Sequence, residues 1–254
     1  MNLLLAGLNA VVRERLQPRL QQVPLPRGQT LEDAGAYAYF PTSGLVSLLA
    51  ITAGGGLVEF AAVANDGVIG LPTGLHHGLA PYQATVQIAG AALRLRKSAA
   101  DAEFARDTTL SDAVFRYTTE LVTDISKGVI CNALHETSQR TCRWLLTASD
   151  RLMTNTLEVK QETLAQALGV LRPAITRVTL ELQDANAIRC RYGRIVILNR
   201  ALLERSSCDC YRALRPDQSP DAPAAAAGSP ARRPTPLTSH DRRSTASPKS
   251  RLVR

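Results

Sequence analysis

The sequence is poor in several residue types, and each scarcity excludes a class of protein. Only 4% of the 254 residues are aromatic but 45% are hydrophobic, so aliphatic side chains must form the cores. The five cysteines are odd in number and all follow residue 130, which does not suit a disulfide framework. No Lys or Arg occurs between residues 28 and 93, so this region offers a buried phosphate group no cationic partner.

Long hydrophobic runs are also lacking. The most apolar region, 44–64, is interrupted by three glycines at 54–56 and by Glu59, which excludes a transmembrane helix. The apolar start of the chain has no cationic segment ahead of it and meets charged residues at 13–15, so we expect no signal peptide. These features predict a cytoplasmic protein that does not contact a membrane.

Charge is distributed unevenly along the chain, whose formal net charge is +8. Residues 1–150 carry 12 Lys/Arg against 13 Asp/Glu, residues 151–214 carry 10 against 6, and residues 215–254 carry 8 against 3. The change to a basic composition near residue 151 favours a nucleic-acid-binding domain there. The final segment, 215–254, also contains seven of the 14 prolines, which predicts a disordered basic tail.

The segment 161–178, QETLAQALGVLRPAITRV, carries the strongest motif. Ala165 is small where two helices would touch, and Gly169 suits a turn that needs a positive φ. Apolar residues fall where both helices would face a core, namely Leu164, Leu168, Val170, Ile175 and Val178. The pattern predicts a helix-turn-helix; the alternative is an ordinary helical hairpin, which would also want a glycine and an apolar stripe.

Residues 188–198 favour the first interpretation. They alternate briefly, turn at Tyr192-Gly193 and resume as a β-branched run, which is typical of a short hairpin. Three arginines flank the turn, at 189, 191 and 194, where they would lie over the phosphates beside the groove that the second helix enters. Solvated arginines without a partner are the alternative. The two segments together predict a winged helix-turn-helix that binds double-stranded DNA.

The first half of the chain has a different pattern. Residues 1–16 favour one short helix, and short apolar runs separated by turn residues between 20 and 96 predict a compact β-sandwich or roll. A long helix should follow from Thr109 to Val129, because apolar residues there recur every three or four positions. This stripe consists of Leu110, Val114, Tyr117, Leu121 and Ile125. We expect it to form a parallel dimer; the alternative is that it packs on its own β-roll.

Several pieces occur in an order that resembles the Crp/Fnr family of bacterial transcription regulators over about residues 3–211. They are Tyr39-Phe40-Pro41, Gly67-Val68-Ile69-Gly70, Cys131-Asn132-Ala133-Leu134-His135, Arg143-Trp144-Leu145-Leu146, the run 161–178 and Cys208-Asp209-Cys210-Tyr211. The resemblance implies an α+β fold with an N-terminal double-stranded β-helix, a jelly-roll-like β-roll of cyclic-nucleotide-binding type. The implied domains are the sensory roll (1–108), a dimerisation helix (109–131), a winged helix-turn-helix (132–214) and the tail (215–254).

The resemblance also implies a homodimer that binds a near-palindromic DNA site, with RNA polymerase as a partner if the protein activates transcription. Aligning the turn glycine with Gly169 places a base-reading arginine at Arg172 and a second arginine, either base-reading or phosphate-contacting, at Arg177. The full set of expected DNA contacts is Lys160, Gln161, Leu171, Arg172, Ala174, Thr176, Arg177, Arg191 and Arg194. Pro173 replaces a base-reading glutamate and Lys160 replaces a capping Ser or Thr, so we expect a different preferred site and a cation near the phosphates.

The expected sensory pocket lacks the residues that would identify a ligand. Family members that bind cyclic nucleotides use a Glu and an Arg in a cassette that corresponds to residues 70–84, and neither residue type is present there. Haem remains an alternative through His76 or His77, and Cys208 and Cys210 with His135 could form a metal or redox site. We favour reduced structural cysteines and predict no cofactor and no metal, with the effector unidentified.

Two further function classes compete with the DNA-binding regulator. One is a regulatory module that binds cyclic nucleotide or haem without DNA, against which the run 161–197 argues. The other is a cupin-type metal enzyme, which needs several histidines and a carboxylate inside the barrel. The chain has only four histidines, and two of them, His135 and His240, lie outside the predicted barrel. We therefore expect a protein that is not an enzyme.

Overall fold

The computed structural model describes residues 1–32, 36–51, 53–70 and 82–213. The chain begins with two short helices, α1 (Leu3–Ala6) and α2 (Ala10–Leu16), and a 3-10 turn at Gln17–Arg19. The prediction of a single helix over 1–16 is wrong because each helix has its own N-cap. Asn2 Oδ1 accepts a hydrogen bond from the Leu5 N–H at 3.2 Å, and Asn9 Oδ1 accepts one from the Val12 N–H at 2.8 Å.

Four antiparallel strands follow, in the spatial order β1-β4-β2-β3. They are β1 (Gln21–Leu25), β2 (Tyr37–Ile51), β3 (Leu57–Val63) and β4 (Tyr82–Arg96). β2 and β4 pair along their whole length, with register shifts between residues 41 and 46. A Cβ on Gly90 would lie 2.2 Å from the Ser43 carbonyl oxygen, so only glycine permits this close approach of the two backbones. Several of the short apolar runs predicted from sequence therefore belong to two long strands, which bend at the register shifts.

Two helices connect the sheet to the second half, α3 (Lys97–Phe104) and α4 (Thr108–Leu134). Asp107 starts α4, because its Oδ1 accepts a hydrogen bond from the Thr109 N–H at 2.8 Å. The first turns of α4 pack in a core with α1 and α2. This core includes Leu4, Leu5, Leu8, Val12, Leu16, Leu110, Ala113 and Val114.

Between residues 137 and 213, the described part of the C-terminal region, the chain forms five helices and three short strands. The elements are α5 (Thr137–Leu152), β5 (Thr156–Leu157), α6 (Gln161–Leu168), α7 (Arg172–Asp184), β6 (Ile188–Arg191), β7 (Arg194–Ile197), α8 (Arg200–Ser206) and α9 (Cys210–Ala213). The strands form an antiparallel sheet in the order β5-β7-β6. Trp144, the only tryptophan, is buried in the core of this region.

The predicted α+β class is confirmed: an N-terminal antiparallel β-roll is followed by a long helix and a C-terminal helix-turn-helix. Within the described residues, no helix is both long and apolar enough to cross a membrane.

Candidate DNA-binding surface

The helix-turn-helix consists of α6, a three-residue turn and α7. Gly169 ends α6 with φ at 62°, the left-handed conformation that glycine adopts without a steric cost. Leu164, Leu168, Ile175 and Val178 are buried against α5 and the wing strands, so four of the five apolar positions predicted for the core lie there. Val170, the fifth, is partly buried against the same cluster. The sequence pattern therefore predicts this motif correctly.

The first turn of α7 projects from the protein. Leu171 is 81% exposed, Arg172 is exposed and Ala174 is half-buried. Pro173 occupies this first turn, where a helix has no internal partner for a backbone N–H. Arg177 lies one turn further along and is also exposed, with its Nε 3.9 Å from the Glu181 carboxylate. Such an exposed pair is weak enough for the guanidinium to exchange partners.

Two residues predicted to contact DNA hold the two helices together. Gln161, at the start of α6, donates through Nε2 to the Thr179 hydroxyl at 2.8 Å. Its Oε1 accepts a hydrogen bond from the Thr176 hydroxyl at 2.9 Å. Both Gln161 and Thr176 are half-buried. Their side chains fix the angle between α6 and α7, a role that sequence analysis did not assign to them.

The wing is the hairpin of β6 and β7. Its turn residues Tyr192 and Gly193 have φ of 49° and 71°, the positive pair that a two-residue hairpin turn of type I′ requires. Tyr192 is 88% exposed at the tip, and the Arg191 guanidinium carbon lies 4.9 Å from its ring centroid. Sequence analysis identified this turn but did not include Tyr192 in the predicted surface.

A surface groove runs between the wing and the first turns of α6 and α7. Five of the residues predicted from sequence line it, namely Lys160, Gln161, Arg172, Arg191 and Arg194. Two acidic residues moderate this charge: Glu162 lines the groove itself, and the Glu158 carboxylate lies 2.8 Å from Arg194 Nη2. Both members of that pair are exposed, which leaves Arg194 accessible.

The structure corrects the face of α4 that was predicted to form a dimer. Leu110 and Val114 are buried in the core with α1 and α2, and Tyr117 packs between this core and the sheet. Leu121 and Ile125 face a cavity between α4, β3 and α5. The first two members of the predicted stripe, Leu110 and Val114, therefore lie inside the subunit, whereas Tyr117, Leu121 and Ile125 are half-buried.

A different face of α4 carries exposed apolar side chains. Phe115, Val122 and Val129 are 58%, 57% and 64% exposed. They recur every seven residues, which places them along one side of the helix. This stripe is not evident from the sequence, because polar residues separate its members along the helix face. The predicted stripe, from Leu110 to Ile125, has an apolar or aromatic residue at every turn.

Glu59 connects the sheet to the C-terminal region. Its carboxylate accepts hydrogen bonds from the Ser47 hydroxyl on β2 and from the Trp144 indole N–H on α5, the latter at 3.3 Å. Burial raises the pKa of Glu59 from 4.5 to about 7, although both hydrogen bonds and the positive charges of Arg151 and Arg143 act in the opposite direction. This carboxyl therefore titrates near neutral pH.

Arg151 forms a second connection. Its guanidinium donates to the Ala62 carbonyl at 2.7 Å and lies 3.0 Å from the Asp124 carboxylate on α4 and 3.1 Å from that of Asp66. One side chain on α5 thus binds the end of β3, the loop that follows it, and the long helix. These contacts position the helix-turn-helix region relative to the N-terminal sheet.

A third group of residues lies at the other end of α5. Cys131, which sequence analysis did not group with any other residue, lies beside His135, Cys208 and Cys210. Burial is the main reason that the pKa of the Cys208 thiol is raised to about 12. Burial also raises the pKa of the Cys210 thiol. His76, His77, most of the 70–84 cassette and the 215–254 tail lie outside the described residues.

Comparisons with known proteins agree with this architecture. Residues 139–206 match the family model of the Crp-like helix-turn-helix domain. No curated protein matches the chain. FixK2 from Bradyrhizobium japonicum superposes with a TM-score of 0.64 at 14% identity, covering 74% of this chain and 98% of FixK2.

Two other solved structures are similar. A Crp/Fnr-family transcriptional regulator from Eubacterium rectale has a TM-score of 0.62 at 15% identity and covers 82% of this chain and 97% of its own. A Crp-family regulator from Thermus thermophilus has a TM-score of 0.61 at 20% identity and covers 73% and 96%.

The N-terminal roll, long helix and winged helix-turn-helix described above are the architecture of these solved regulators. The chain shares their Crp/Fnr fold, and its residues 139–206 match the Crp-like helix-turn-helix domain.

Proposed function

We propose that this protein is a cytoplasmic, sequence-specific transcription regulator that binds a near-palindromic DNA site as a homodimer and is not an enzyme. The observation that carries the proposal is the exposed first turn of α7, where Arg172 lies beside the cationic groove of the wing. A helix that presents an arginine at its N-terminal end can read base edges in the major groove.

Base reading is assigned to Arg172 and Arg177. A guanidinium can donate two hydrogen bonds to the O6 and N7 of guanine, which discriminates against other bases by about 1–3 kcal/mol. Both side chains are exposed on successive turns of α7. Leu171, largely exposed at the start of the same helix, offers an apolar contact for a thymine methyl group.

Phosphate contacts are assigned to Lys160, Arg191 and Arg194, which line the groove beside α7. Positive charges beside α7 would contact the DNA phosphates that border the major groove. Such contacts add affinity without sequence preference. Gln161 and Thr176 are given a positioning role, because each already uses its side chain to join α6 to α7.

Dimer formation is assigned to the exposed stripe Phe115, Val122 and Val129. α4 has 27 residues and is therefore about 40 Å long, enough for several turns of contact between two parallel copies. Such a pair would present two α7 helices to major grooves roughly 34 Å apart.

The N-terminal roll is proposed not to bind a cyclic nucleotide. A buried phosphate needs cationic or N–H donors, and the sequence from residue 28 to 93 has no Lys or Arg. The inward side chains of the described sheet are apolar, including Leu48, Val63 and Val86. A signal could act only by favouring one arrangement of α4 over another.

The test is selection from a random double-stranded DNA library with the full chain at moderate salt. We expect an enriched near-palindrome, a loss or relaxation of one base preference in Arg172→Ala, and no change in Arg106→Ala, an exposed arginine before α4 that serves as the control. Lys160→Ala should weaken binding to specific and random DNA alike and reduce the salt slope by about 1.

Two outcomes would contradict the proposal. The first is no enriched sequence with the wild-type chain while the cationic surface still binds DNA. The second is an equal loss of affinity on specific and random DNA for Arg172→Ala, the result expected of Lys160→Ala, because then Arg172 does not read a base.

A further inference from the structure

Four potential metal ligands meet where the long helix ends. Cys131 lies in the last turn of α4, His135 follows that helix directly, and Cys208 and Cys210 precede and begin α9. The nearest ligand atoms of all four residues lie within 4.8 Å of one another. Cys131 Sγ is 3.5 Å from Cys208 Sγ, and Cys210 Sγ is 3.6 Å from His135 Nδ1.

We propose that Cys131, His135, Cys208 and Cys210 bind one Zn²⁺ ion in a tetrahedral site that stabilises the protein. Zinc binds sulfur at about 2.3 Å and imidazole nitrogen at about 2.0–2.1 Å, so the ligand atoms of a tetrahedron lie about 3.5–3.8 Å apart. The two separations above match the edges of such a tetrahedron. A disulfide requires about 2.05 Å between sulfur atoms, so Cys131 and Cys208 are two separate thiols.

The histidine is oriented for this role. The backbone N–H of His135 donates to the Cys131 carbonyl at 3.1 Å, which keeps both side chains on one side of the helix end. With Nδ1 toward the sulfur atoms, Nε2 lies 3.2 Å from the Asp209 carboxylate. A carboxylate that accepts the second ring N–H is the usual partner of a zinc-binding histidine, because it fixes the tautomer and the ring orientation.

The surroundings suit a closed site with a negative charge. Cys131, Cys208 and Cys210 are buried, so four protein ligands leave no open position for a substrate and the ion would have a structural role. Three thiolates and Zn²⁺ carry a net charge of −1. Arg140 and Arg143 interact electrostatically with these cysteines, and within the described residues the buried Nε of each has no hydrogen-bond partner.

The ion would connect parts of the chain that are 77 positions apart. Cys131 and His135 belong to the end of the long helix, whereas Cys208 and Cys210 belong to the last described segment of the DNA-binding domain. His135 itself has extended backbone angles (φ −114°, ψ 146°) where α4 gives way to α5. Zinc would therefore fix the angle at which the DNA-binding domain leaves α4. This inference does not depend on DNA binding.

The experiment measures zinc in the full chain purified under reducing conditions, followed by replacement with Co²⁺. We expect about one zinc ion per chain and, with cobalt, the visible spectrum of a tetrahedral site with a thiolate-to-cobalt charge-transfer band. Cys208→Ser and Cys210→Ser should lose the zinc and weaken that band. Cys190→Ser is the matched control, because Cys190 lies in the wing and should leave both signals unchanged.

Asp209→Asn keeps the experiment decisive if the cysteine variants do not fold. The Asp209 side chain is 88% exposed, so its replacement should preserve the circular dichroism spectrum while zinc affinity falls about 10–100-fold. Three results would overturn the proposal: a wild-type chain that binds neither zinc nor cobalt, equal zinc content in the Cys190→Ser and Cys210→Ser variants, or a Cys131–Cys208 disulfide in the mapped peptides of the wild-type protein.

Discussion

Replacing Glu59 with glutamine should make the protein more stable at pH 8. In the folded protein burial raises the pKa of this carboxyl from 4.5 to about 7, so the folded state holds its proton more tightly than the unfolded state does. Proton binding favours folding at low pH, and that advantage is lost as the pH rises from about 4.5 to 7. Above this window the protein must keep a partly buried carboxylate ionised.

The magnitude follows from the two pKa values. Their separation corresponds to roughly 3 kcal/mol of unfolding free energy. Glu59 is half-buried and lines a cavity, so solvent screening reduces the expected effect to about 1–3 kcal/mol. Glutamine has nearly the same shape and retains an oxygen that accepts the Trp144 N–H, but it cannot ionise.

The assay is urea unfolding of the wild type and Glu59→Gln at pH 5 and pH 8, with Glu120→Gln as the control at an exposed position of α4. We expect similar stability of wild type and Glu59→Gln at pH 5, and an advantage for Glu59→Gln at pH 8. The reasoning would be refuted if the difference between them were the same at both pH values, because then Glu59 does not titrate between them.

Two further predictions concern the long helix and the turn. Val122→Glu should convert the proposed dimer to a monomer in light-scattering measurements, because it places a charge in the exposed stripe of α4. The control Thr123→Glu, on a neighbouring face, should leave the dimer intact. A dimer in both variants would show that the stripe is not the dimer interface. Gly169→Ala should lower stability by about 1–2 kcal/mol, because φ of 62° strains a residue with a Cβ, and Gly169→Asn should cost less; an unchanged melting temperature in both would contradict this.

The helix-turn-helix could be predicted from sequence because its determinants are local. Gly169 supplies the left-handed turn and Pro173 marks the first turn of α7, within a few residues of each other. The hairpin at Tyr192-Gly193 is local in the same sense, since its two positive φ angles depend on the turn residues themselves.

The role of each helix face could not be predicted in this way. α4 has apolar residues on two sides, and the sequence alone does not say that α1 and α2 cover Leu110 and Val114. The grouping of Cys131 with Cys208 likewise depends on the tertiary fold, because 77 positions separate them. The bond from Gln161 to Thr179 could not be predicted for a related reason, because Thr179 is 18 positions away, on the next helix.

The hydrogen bonds of Gln161 have a consequence for the kinetics of DNA recognition. If the protein binds DNA as proposed, α6 and α7 would meet the duplex as one rigid unit, because the hydrogen bonds of Gln161 to Thr176 and Thr179 already join the two helices. Little ordering of the helices would then remain to be done on contact. The association rate should then be set by diffusion and long-range electrostatic attraction. It should be nearly the same for specific and non-specific DNA sites. Discrimination between DNA sites would then lie in the dissociation rate. The protein would dissociate slowly from a specific site and quickly from other sequences.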